Sequence, residues 1–436
     1  MSQPEEPLNI VVLGASFAGL SVAHHFLDHT IKRLSTTPTS PTYRLILVSP
    51  STHIYWNIGA PRVLAAPNLI PHTDAFIPIE PGFRRHKGAD FTFIQGFATG
   101  IDVSASAVTL VLIGATASKR ASQLATRRSR SNVEDTIQTI LYHALILATG
   151  SQAHSPLLSL HGPHERTIAA LESFHKRLTA AKSMVVCGGG PSGIETAGQL
   201  ATYSSHGSEV KGSRPTKKIT LITGTARCLT GLSETIGQKA EKQLKQLGVD
   251  VIHKVRVFGA NEDPSGTVHC VLSDDTTLEA DLYIAATGVV PNTAYMPTKL
   301  LDAAGYIRTN AGTLRVDQAG ARVFAVGDCA SYSGNYVLDV YDAVPVAMHN
   351  LLNDLLVHEL RLASPYGGNE DEIDALEDAV YEKNQKISQL CPIGRFGGVG
   401  CVFGIRVPSL GVWAFKGRDY RVGKAKTVVV NGNNPY

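Results

Sequence analysis

The feature of this 436-residue chain that most constrains its fold is a pattern of strand, glycine-rich turn and helix that occurs twice. In the first copy, the β-branched apolar run 9–13 predicts a buried parallel strand. The turn 14–19 follows and leads into a helix predicted over 20–34. A second apolar strand at 43–48 completes the order of a right-handed βαβ unit.

The second copy has the same order further along the chain. The apolar run 183–187 predicts the strand, 188–193 the turn, 194–203 the helix and 219–223 the next strand. Two such units in one chain predict an α/β protein with two Rossmann-like dinucleotide-binding domains.

The first glycine turn reads Gly14-Ala15-Ser16-Phe17-Ala18-Gly19. Gly14 permits the sharp turn out of the strand, and Gly19 lets the helix pack closely on it. The helix start offers unpaired N–H groups and the positive end of its dipole, which suit a pyrophosphate. Ser16 replaces the second glycine of the usual pattern, and its hydroxyl could donate to a phosphate.

The strand after this turn lacks an expected acid. Ser49 stands where a carboxylate usually holds the adenosine ribose. Either Ser49 and Thr52 share that contact or another residue supplies it. A single altered fingerprint of this kind is weak evidence, so the rest of the chain has to support it.

The second turn, Gly188-Gly189-Gly190-Pro191-Ser192-Gly193, is a full GxGxxG between a strand and a helix, which is the context the motif requires. The next strand ends at Thr223-Gly224, without the acid that favours NAD or a base that favours NADP. Arg227 is the nearest base. The coenzyme is therefore open, with an inclination to NADH or to the use of both.

Three further patterns complete the motif set. Ala148-Thr149-Gly150 and Ala286-Thr287-Gly288 each close one unit, and a strand over 323–327 ends in Gly327-Asp328. A lone Gly-Asp pair is usually only a turn, but after two dinucleotide motifs it carries more weight.

Composition limits the alternatives. The formal charge of +3 predicts no specific nucleic-acid partner, and no apolar stretch reaches the ~18 residues of a membrane span. The six cysteines form no CxxC pair, so neither a metal site nor a redox disulfide of adjacent cysteines is predicted. Polar segments at 115–132, 204–218 and 365–382 predict solvated loops or exposed helices.

On these motifs, the chain resembles the pyridine-nucleotide-dependent flavin oxidoreductase superfamily. Within it, the chain is most similar to the apoptosis-inducing-factor-like group that includes the ferroptosis suppressor protein, related to type II NADH dehydrogenases. The matching segments are 12–19, 49–64, 187–198, 286–291, 306–316, 323–330 and 394–404.

The resemblance implies a glutathione-reductase-like arrangement of three-layer ββα domains. Residues 1–155 and 289–362 would form a discontinuous FAD-binding domain, with an NAD(P)H-binding domain at 156–288 between them. Residues 363–436 would form a C-terminal α+β region that covers the flavin, with strands or a hairpin before Phe415.

The resemblance also implies the site residues. Those expected to hold FAD are Gly14, Ser16, Phe17, Ala18, Gly19, Ser49, Arg62, Ala98, Thr149, Gly150, Asp328 and Val344. Those expected to hold NAD(P)H are Gly188, Gly190, Pro191, Ser192, Gly193, Glu195, Thr223 and Gly288. Val344 represents the N–H groups at the start of a helix over 342–350, which would stabilise negative charge on the reduced flavin.

Several side chains have two interpretations. His53, Tyr55 and Trp56 either flank the flavin ring or pack a loop. Lys424 and Lys426 fall where the family has a C-terminal lysine near the active site, although a solvated lysine is favoured for both. His349 is expected to pack or cap a helix, and Cys329 to be a small buried residue.

The implied chemistry is hydride transfer from C4 of NAD(P)H to flavin N5, followed by electron transfer to a quinone or another small acceptor. One alternative is a tailoring flavoenzyme of specialised metabolism, and another is a redox-sensing cell-death signalling protein with weak NADH oxidase activity. A cytoplasmic location, attachment to a surface such as the mitochondrial outer membrane or lipid droplets, and a homodimer are compatible with the resemblance.

Overall fold

The computed structural model describes residues 6–34, 40–86, 88–113, 136–204 and 217–433. The basic segment predicted as a loop at 115–132 lies outside the described residues, as does 204–218 apart from its ends.

The strands form one mixed sheet, one parallel sheet and several antiparallel ones. In chain order they are β1 Leu8–Leu13, β2 Tyr43–Ser49, β3 His53–Tyr55, β4 Phe76–Pro78, β5 Phe91–Asp102, β6 Ala107–Leu112, β7 Thr136–Leu141, β8 Ala144–Leu147, β9 Ser151–Ala153, β10 Ser183–Cys187, β11 Lys218–Thr223, β12 Val249–His253, β13 Val257–Glu262, β14 Val268–Leu272, β15 Thr277–Ala280, β16 Leu282–Ala285, β17 Val289–Pro291, β18 Val323–Ala325, β19 Gln389–Ile393, β20 Gly397–Val402 and β21 Ile405–Arg406.

The α-helices include the two that follow the glycine turns. In chain order they are α1 Phe17–His25, α2 Ala60–Ala65, α3 His72–Ala75, α4 His164–Ala180, α5 Pro191–Tyr203, α6 Glu234–Gln246, α7 Val337–Ala363, α8 Glu370–Asp374 and α9 Ser409–Val412.

The first large sheet has the order β18-β8-β1-β2-β5-β6-β7. Its parallel part brings a strand from late in the chain, β18, beside β8, so the chain returns to this sheet after building the second unit. Residues 136–147 form two strands, because Tyr142 and His143 separate β7 from β8 and only β8 pairs with β1. The carboxyl ends of β1, β8 and β18 therefore lie together.

The second unit repeats this arrangement. Parallel strands in the order β12-β11-β10-β16 are accompanied by an antiparallel sheet, β13-β14-β15. The two units are linked by β9 and β17, which pair antiparallel where the chain leaves and re-enters the first domain. The predicted α/β fold with two Rossmann-like units is confirmed.

The C-terminal region is a small antiparallel sheet, β19-β20-β21, followed by helical turns. The predicted hairpin is confirmed, but strand character ends at Arg406 and residues 409–417 are helical. This sheet packs on α5, since the Gln199 side-chain amide donates to the Gly394 carbonyl at 2.9 Å.

Two segments differ from their predictions. The helix expected over 20–34 begins at Phe17 and widens into a π-helical turn at Phe26–Thr30, because its cap is Ser16 in the glycine turn itself. The acidic segment 365–382 is not simply solvated. Asn350 of α7 accepts from the Ala379 N–H at 2.7 Å and donates to the Ala379 carbonyl at 3.0 Å, which holds the end of this segment on the helix.

A buried histidine joins the first helix to the C-terminal turns. His24 stacks on Phe83 with ring centroids 4.3 Å apart, and its Nε2–H donates to the Val430 carbonyl at 2.8 Å. Its Nδ1 therefore accepts from Nε2–H of His86 at 3.0 Å. Burial lowers the pKa of His24 from 6.5 to about 4.

We expect acid to destabilise the fold through this histidine. The unfolded chain takes up a proton at this histidine below about pH 6.5, whereas the folded protein does so only near pH 4. The free energy of unfolding therefore decreases as the pH is lowered through this window. The slope is about 1.4 kcal/mol per pH unit for this group. Urea unfolding at a series of pH values would measure it. His24→Gln should flatten the curve by about one proton, and an unchanged slope in that variant would contradict the assignment.

Candidate functional site

A cleft of about 1040 Å³ runs from the start of α1 to the C-terminal sheet. This volume is at or above the upper end of the ~300–1000 Å³ typical of small-molecule pockets, as an extended dinucleotide requires. The residues predicted to hold FAD that line it are Gly14, Ser16, Phe17, Ala18, Ser49, Ala98, Thr149, Gly150 and Asp328. Their contacts with FAD stay predictions.

The first glycine turn has no room for a side chain. Gly14 has φ +105°, and a β-carbon there would lie 2.1 Å from the Ala148 carbonyl oxygen. A β-carbon on Gly19 would lie 1.8 Å from the Gly14 oxygen, so Gly19 serves packing and does not line the cleft. The turn therefore requires glycine for close backbone approach at the end of β1.

The start of α1 is left for a ligand. Ser16 is its N-cap in an extended conformation, yet the serine hydroxyl makes no capping hydrogen bond. The first N–H groups of a helix have no partner within it. Together they present donors to the cleft, which is the arrangement that binds a pyrophosphate.

The position of the missing ribose acid is occupied by a short hydrogen-bonded turn. The Ser49 hydroxyl accepts from the Ser51 N–H at 3.2 Å, and the Thr52 hydroxyl bonds to His53 at 2.9 Å. Ser49 and Ser51 line the cleft, whereas Thr52 does not. The Ser51 hydroxyl donates to the His53 carbonyl at 2.6 Å and accepts from the His53 N–H at 3.1 Å. Of these three side chains, Ser49 is therefore the one that could contact a ribose.

Asp328 lies at the end of β18, on the opposite wall. Its carboxylate accepts from the Ser151 hydroxyl at 3.1 Å. Burial raises the pKa of Asp328, and the nearby Asp339 adds to that shift. A partly buried acid with this serine as partner retains acceptor capacity for a ligand hydroxyl.

A helix start also opens onto the cleft, but it is not at Val344. Helix α7 is capped by Tyr336, and its first residues, Val337 and Leu338, line the cleft. Val344 is fully buried in the second turn and beyond reach of the cleft, so that prediction is wrong. The helix begins several residues earlier than the predicted 342–350, and its unpaired N–H groups belong to 337 and 338.

These features fit FAD. Donors at the start of α1 suit its pyrophosphate, the acceptor of Asp328 suits a ribityl hydroxyl, and the start of α7 suits the electron-accepting end of its ring. Gly150, at φ +65° with no atom within 4 Å of an added β-carbon, leaves space in the same wall.

The second glycine turn repeats the geometry of the first. A β-carbon on Gly188 would lie 2.0 Å from the Ala286 oxygen, and one on Gly193 1.9 Å from the Gly188 oxygen. Gly190 caps α5, and an added β-carbon there meets no atom within 4 Å. Pro191 and Ser192 line the cleft, so the start of α5 faces the same space as the first turn. Gly188, Gly190, Gly193, Thr223 and Gly288 lie outside the cleft lining.

Gly190→Ala tests whether this glycine is needed for contact with the coenzyme or for packing within the protein. Its backbone has φ −81°, which alanine adopts, and nothing in the protein opposes the methyl group, so we expect an unchanged fold. A coenzyme pyrophosphate over this position would be displaced, and NADP⁺ and NAD⁺ should bind about tenfold or more weakly. Calorimetric titration measures this, and unchanged affinity for both would place the pyrophosphate elsewhere.

Glu195 was predicted to hold NAD(P)H, but in the structure its carboxylate is paired with another side chain of the protein. It is buried, and its Oε1 accepts from Lys416 Nζ at 2.6 Å. Lys416 also donates to the Leu390 carbonyl at 3.1 Å and lines the cleft. Burial raises the pKa of Glu195, and Lys416 opposes that shift. The lysine, and not the acid, is presented to a ligand.

Arg62 does not line the cleft, and its predicted place beside the flavin stays a prediction. Its Nε donates to Gln199 at 2.9 Å and its Nη1 to the Arg418 carbonyl at 3.0 Å. The guanidinium lies 4.8 Å from the Tyr420 ring centroid. A buried cation with these partners ties α2 to α5 and the C-terminal region.

Of the aromatic residues that follow β2, namely His53, Tyr55 and Trp56, only one lines the cleft. Tyr55 lines the cleft, His53 stacks on His164 at 3.9 Å, and Trp56 Nε1–H donates to the Tyr420 carbonyl at 2.8 Å. Lys424 and Lys426 do not line the cleft. His349 donates to the Glu377 carbonyl at 3.0 Å, which confirms a packing role.

Sequence reasoning missed the far end of the cleft. The lining residues there include Tyr336, Phe403, Phe415, Lys416 and Arg421. Tyr295, near the first glycine turn, was missed as well, and its hydroxyl lies 3.1 Å from that of Thr149. Asn292 was also missed, although its side chain donates to the Thr149 carbonyl at 2.9 Å and so anchors the Ala-Thr-Gly turn. The only available signal was alternation of aromatic and basic residues in 403–421.

Two Rossmann-like units whose glycine turns face one cleft define a class: a two-dinucleotide flavin oxidoreductase that uses NAD(P)H. Residues 8–350 match the family model described as pyridine nucleotide-disulphide oxidoreductase. The chain belongs to this family, and the predicted resemblance is confirmed.

Relatives span the whole chain. It is 33% identical to oxidoreductase phnG of Penicillium herquei over 422 residues, covering 94% of this chain and 93% of that protein. It is 25% identical to ferroptosis suppressor protein 1 of Xenopus tropicalis, covering 97% and 96%. The fold matches NDH2 from Plasmodium falciparum in complex with NADH, with a TM-score of 0.66, 12% identity and 99% of both chains covered.

All six cysteines belong to the described residues, are buried and unpaired, and none lines the cleft. Among the described helices, none has both the length and the apolar character needed to cross a bilayer.

Proposed function

We propose that the chain is a flavin-dependent tailoring oxidoreductase of specialised metabolism, which takes electrons from NAD(P)H and passes them to an organic small molecule. The observation that carries this proposal is the open end of the cleft beyond both glycine turns. There the C-terminal region contributes exposed Phe403 and Phe415, together with Lys416 and Arg421. Aromatic rings next to cations suit a planar substrate that carries a negative or strongly polar group.

The relatives support a tailoring oxidoreductase over a function like that of ferroptosis suppressor protein 1. Identity to oxidoreductase phnG is 33% over 94% of this chain, against 25% to ferroptosis suppressor protein 1 over 97%. Ser16 and Ser49 also depart from the common FAD fingerprint. The cysteine-free cleft argues against a disulfide as the electron acceptor.

The chain's own residues position the two dinucleotides and exclude water, and this contributes more than any exchange of protons. FAD, when bound, supplies the group that accepts a hydride from NAD(P)H and reduces the substrate. The starts of α1 and α5 hold two pyrophosphates on facing sides of one cleft, and the N–H groups of Val337 and Leu338 stabilise negative charge. Phe403 and Phe415 then bound the space left for the substrate.

The test begins with the visible spectrum of the purified protein before and after anaerobic NADH or NADPH. We expect a flavin spectrum that is bleached by coenzyme. Reoxidation is then followed with ubiquinone analogues and with a panel of aromatic and phenolic small molecules. Colourless protein that takes up no FAD, or flavin that neither coenzyme reduces, would refute the proposal.

A variant locates the substrate. Phe415→Ala should raise the KM for an aromatic acceptor by about tenfold, and leave the rate of flavin reduction by coenzyme unchanged. Phe396→Ala is the matched control, because Phe396 is similarly exposed but does not line the cleft. Equal effects of the two variants would remove Phe415 from the substrate site.

Quinone reduction is the second candidate. The match to NDH2 over 99% of both chains concerns the fold, and the aromatic end of the cleft would also accept a quinone ring. Fast quinone-dependent coenzyme consumption, with no acceptor in the aromatic panel that is faster, would favour this candidate. Its absence would demote it.

A further inference from the structure

The coenzyme preference is decided at the carboxyl end of β11, where the adenosine ribose of a Rossmann-bound dinucleotide lies. Thr223 ends this strand and is buried, and its hydroxyl bonds to that of Thr225 at 2.8 Å. A β-carbon on Gly189 would lie 2.4 Å from the Thr223 hydroxyl, so Thr223 packs against the glycine turn itself. No acid stands at the end of the strand to hold a 2′-hydroxyl or repel a 2′-phosphate.

Arg227, the nearest base in sequence, is not available to a ligand. Its Nη1 donates to the carbonyls of Cys228 at 3.5 Å and Leu229 at 3.0 Å. Its Nη2 donates to the carbonyls of Thr230 at 3.0 Å and Leu232 at 2.9 Å. This guanidinium therefore holds the loop between β11 and α6 in place.

A more distant arginine lies across the strand end. A β-carbon on Gly224 would lie 2.9 Å from Cγ and 3.2 Å from Nε of Arg256, so the absence of a side chain at Gly224 lets Arg256 occupy this place. The backbone of Arg256 is fixed on both sides by Ser273, whose hydroxyl accepts from the Arg256 N–H at 3.0 Å and whose N–H donates to the Arg256 carbonyl at 2.8 Å.

The guanidinium of Arg256 is exposed and has no acidic partner among the described residues. Neighbouring acids are engaged elsewhere. Glu241 pairs with His253 at 3.3 Å, and Asp274 accepts from the Thr276 hydroxyl at 2.6 Å. Lys254 is exposed beside it, with its N–H bonded to the Thr225 carbonyl at 3.1 Å. Two exposed cations, Lys254 and Arg256, thus lie at the end of the strand.

We propose that Arg256 binds the 2′-phosphate of NADPH and that the chain prefers NADPH to NADH, with Lys254 adding positive charge at the same edge. A 2′-phosphate carries about −1.5 to −2 charges at neutral pH, and a guanidinium forms paired hydrogen bonds to it. This inference rests on the proposed function in taking NAD(P)H as the reductant, and it deepens that function by naming the coenzyme.

The test measures binding apart from catalysis. The FAD-loaded protein is titrated by calorimetry with 2′,5′-ADP and with 5′-AMP, which differ by the phosphate in question. We expect 2′,5′-ADP to bind at least about tenfold more tightly. Arg256→Ala should weaken 2′,5′-ADP by about ten- to hundredfold while changing 5′-AMP by less than about threefold. Arg256→Lys should fall between them, because a lysine keeps the charge but not the paired geometry.

Arg361→Ala is the control, because Arg361 is an exposed arginine in the last turn of α7, in the other domain. Its binding curves should match those of the unaltered protein. Equal affinity of the unaltered protein for 2′,5′-ADP and 5′-AMP, or no effect of Arg256→Ala, would overturn the inference.

The spectrum distinguishes this failure from that of the proposed function. If NADH and NADPH bleach the flavin equally well, the coenzyme preference is wrong and the flavin oxidoreductase stands. If neither coenzyme reduces the flavin and neither nucleotide binds, both proposals fail together.

Discussion

Lys416→Met is expected to lower the free energy of unfolding by about 3–5 kcal/mol, the cost of leaving one partner of a buried ion pair without the other. Glu195 is only 2% exposed and receives its hydrogen bond from Lys416 at 2.6 Å. Without the ammonium group, its carboxylate must stay charged in a buried site, with Arg62 and the Tyr420 hydroxyl nearby, or take up a proton. Urea unfolding followed by intrinsic fluorescence measures the loss.

The loss should depend on pH in a defined direction. Burial already raises the pKa of Glu195 with Lys416 present, and removing the cation raises it further. In the variant, the acid is neutral at low pH, so destabilisation should be smaller near pH 5 and larger near pH 8. This sign distinguishes an unpaired carboxylate from a simple loss of packing.

Two matched variants complete the experiment. Glu195→Gln combined with Lys416→Met removes both charges of the pair and should recover most of the stability, because no buried carboxylate is left without its lysine. Lys424→Met removes an exposed lysine of the same C-terminal region and should change stability by less than about 0.5 kcal/mol. Equal losses in the single and double variants would show that the pair does not act as a pair.

Gly14→Ala is expected to reduce the FAD content of the purified protein by about tenfold or more. The new methyl carbon would lie 2.1 Å from the Ala148 oxygen, at a φ of +105° that alanine rarely adopts. The turn would have to open, and the donors at the start of α1 would move away from the pyrophosphate. The ratio of flavin absorbance to protein absorbance measures the effect.

The control for this variant is Gly100→Ala. Gly100 lies in β5 and an added β-carbon meets no atom within 4 Å, so FAD content should not change. Far-ultraviolet circular dichroism separates loss of cofactor from loss of fold. A Gly14→Ala protein with normal flavin content would show that FAD is not held at this turn.

The two expected effects concern opposite ends of one cleft. Gly14 belongs to the turn at the pyrophosphate end, and Lys416 belongs to the C-terminal region that bounds the substrate end. Since Lys416 ties that region to Glu195 of α5, a change in either partner should also affect how the substrate end is closed. The C-terminal region is therefore part of the site and not an appendage.

The sequence by itself determined the architecture, because the information is local. Apolar runs of strand length, glycines at fixed spacing and helix starts directly after them specify a βαβ unit within a few tens of residues. Gly14 and Ser16 were placed at the cleft on this basis, whereas Thr149 and Asp328 were placed there by the resemblance to the flavin oxidoreductases.

Only the tertiary structure decided the roles of charged and helical residues whose partners are distant in the chain. Glu195 meets Lys416 221 residues later, and Arg62 meets Gln199 137 residues later. Whether Val344 lies at a helix start depended on where α7 begins. Which basic residue lies across the end of β11 depended on the fold, which places Arg256 there. A buried charge is paired with whichever group the fold brings within about 3 Å, and a local sequence pattern does not identify that group.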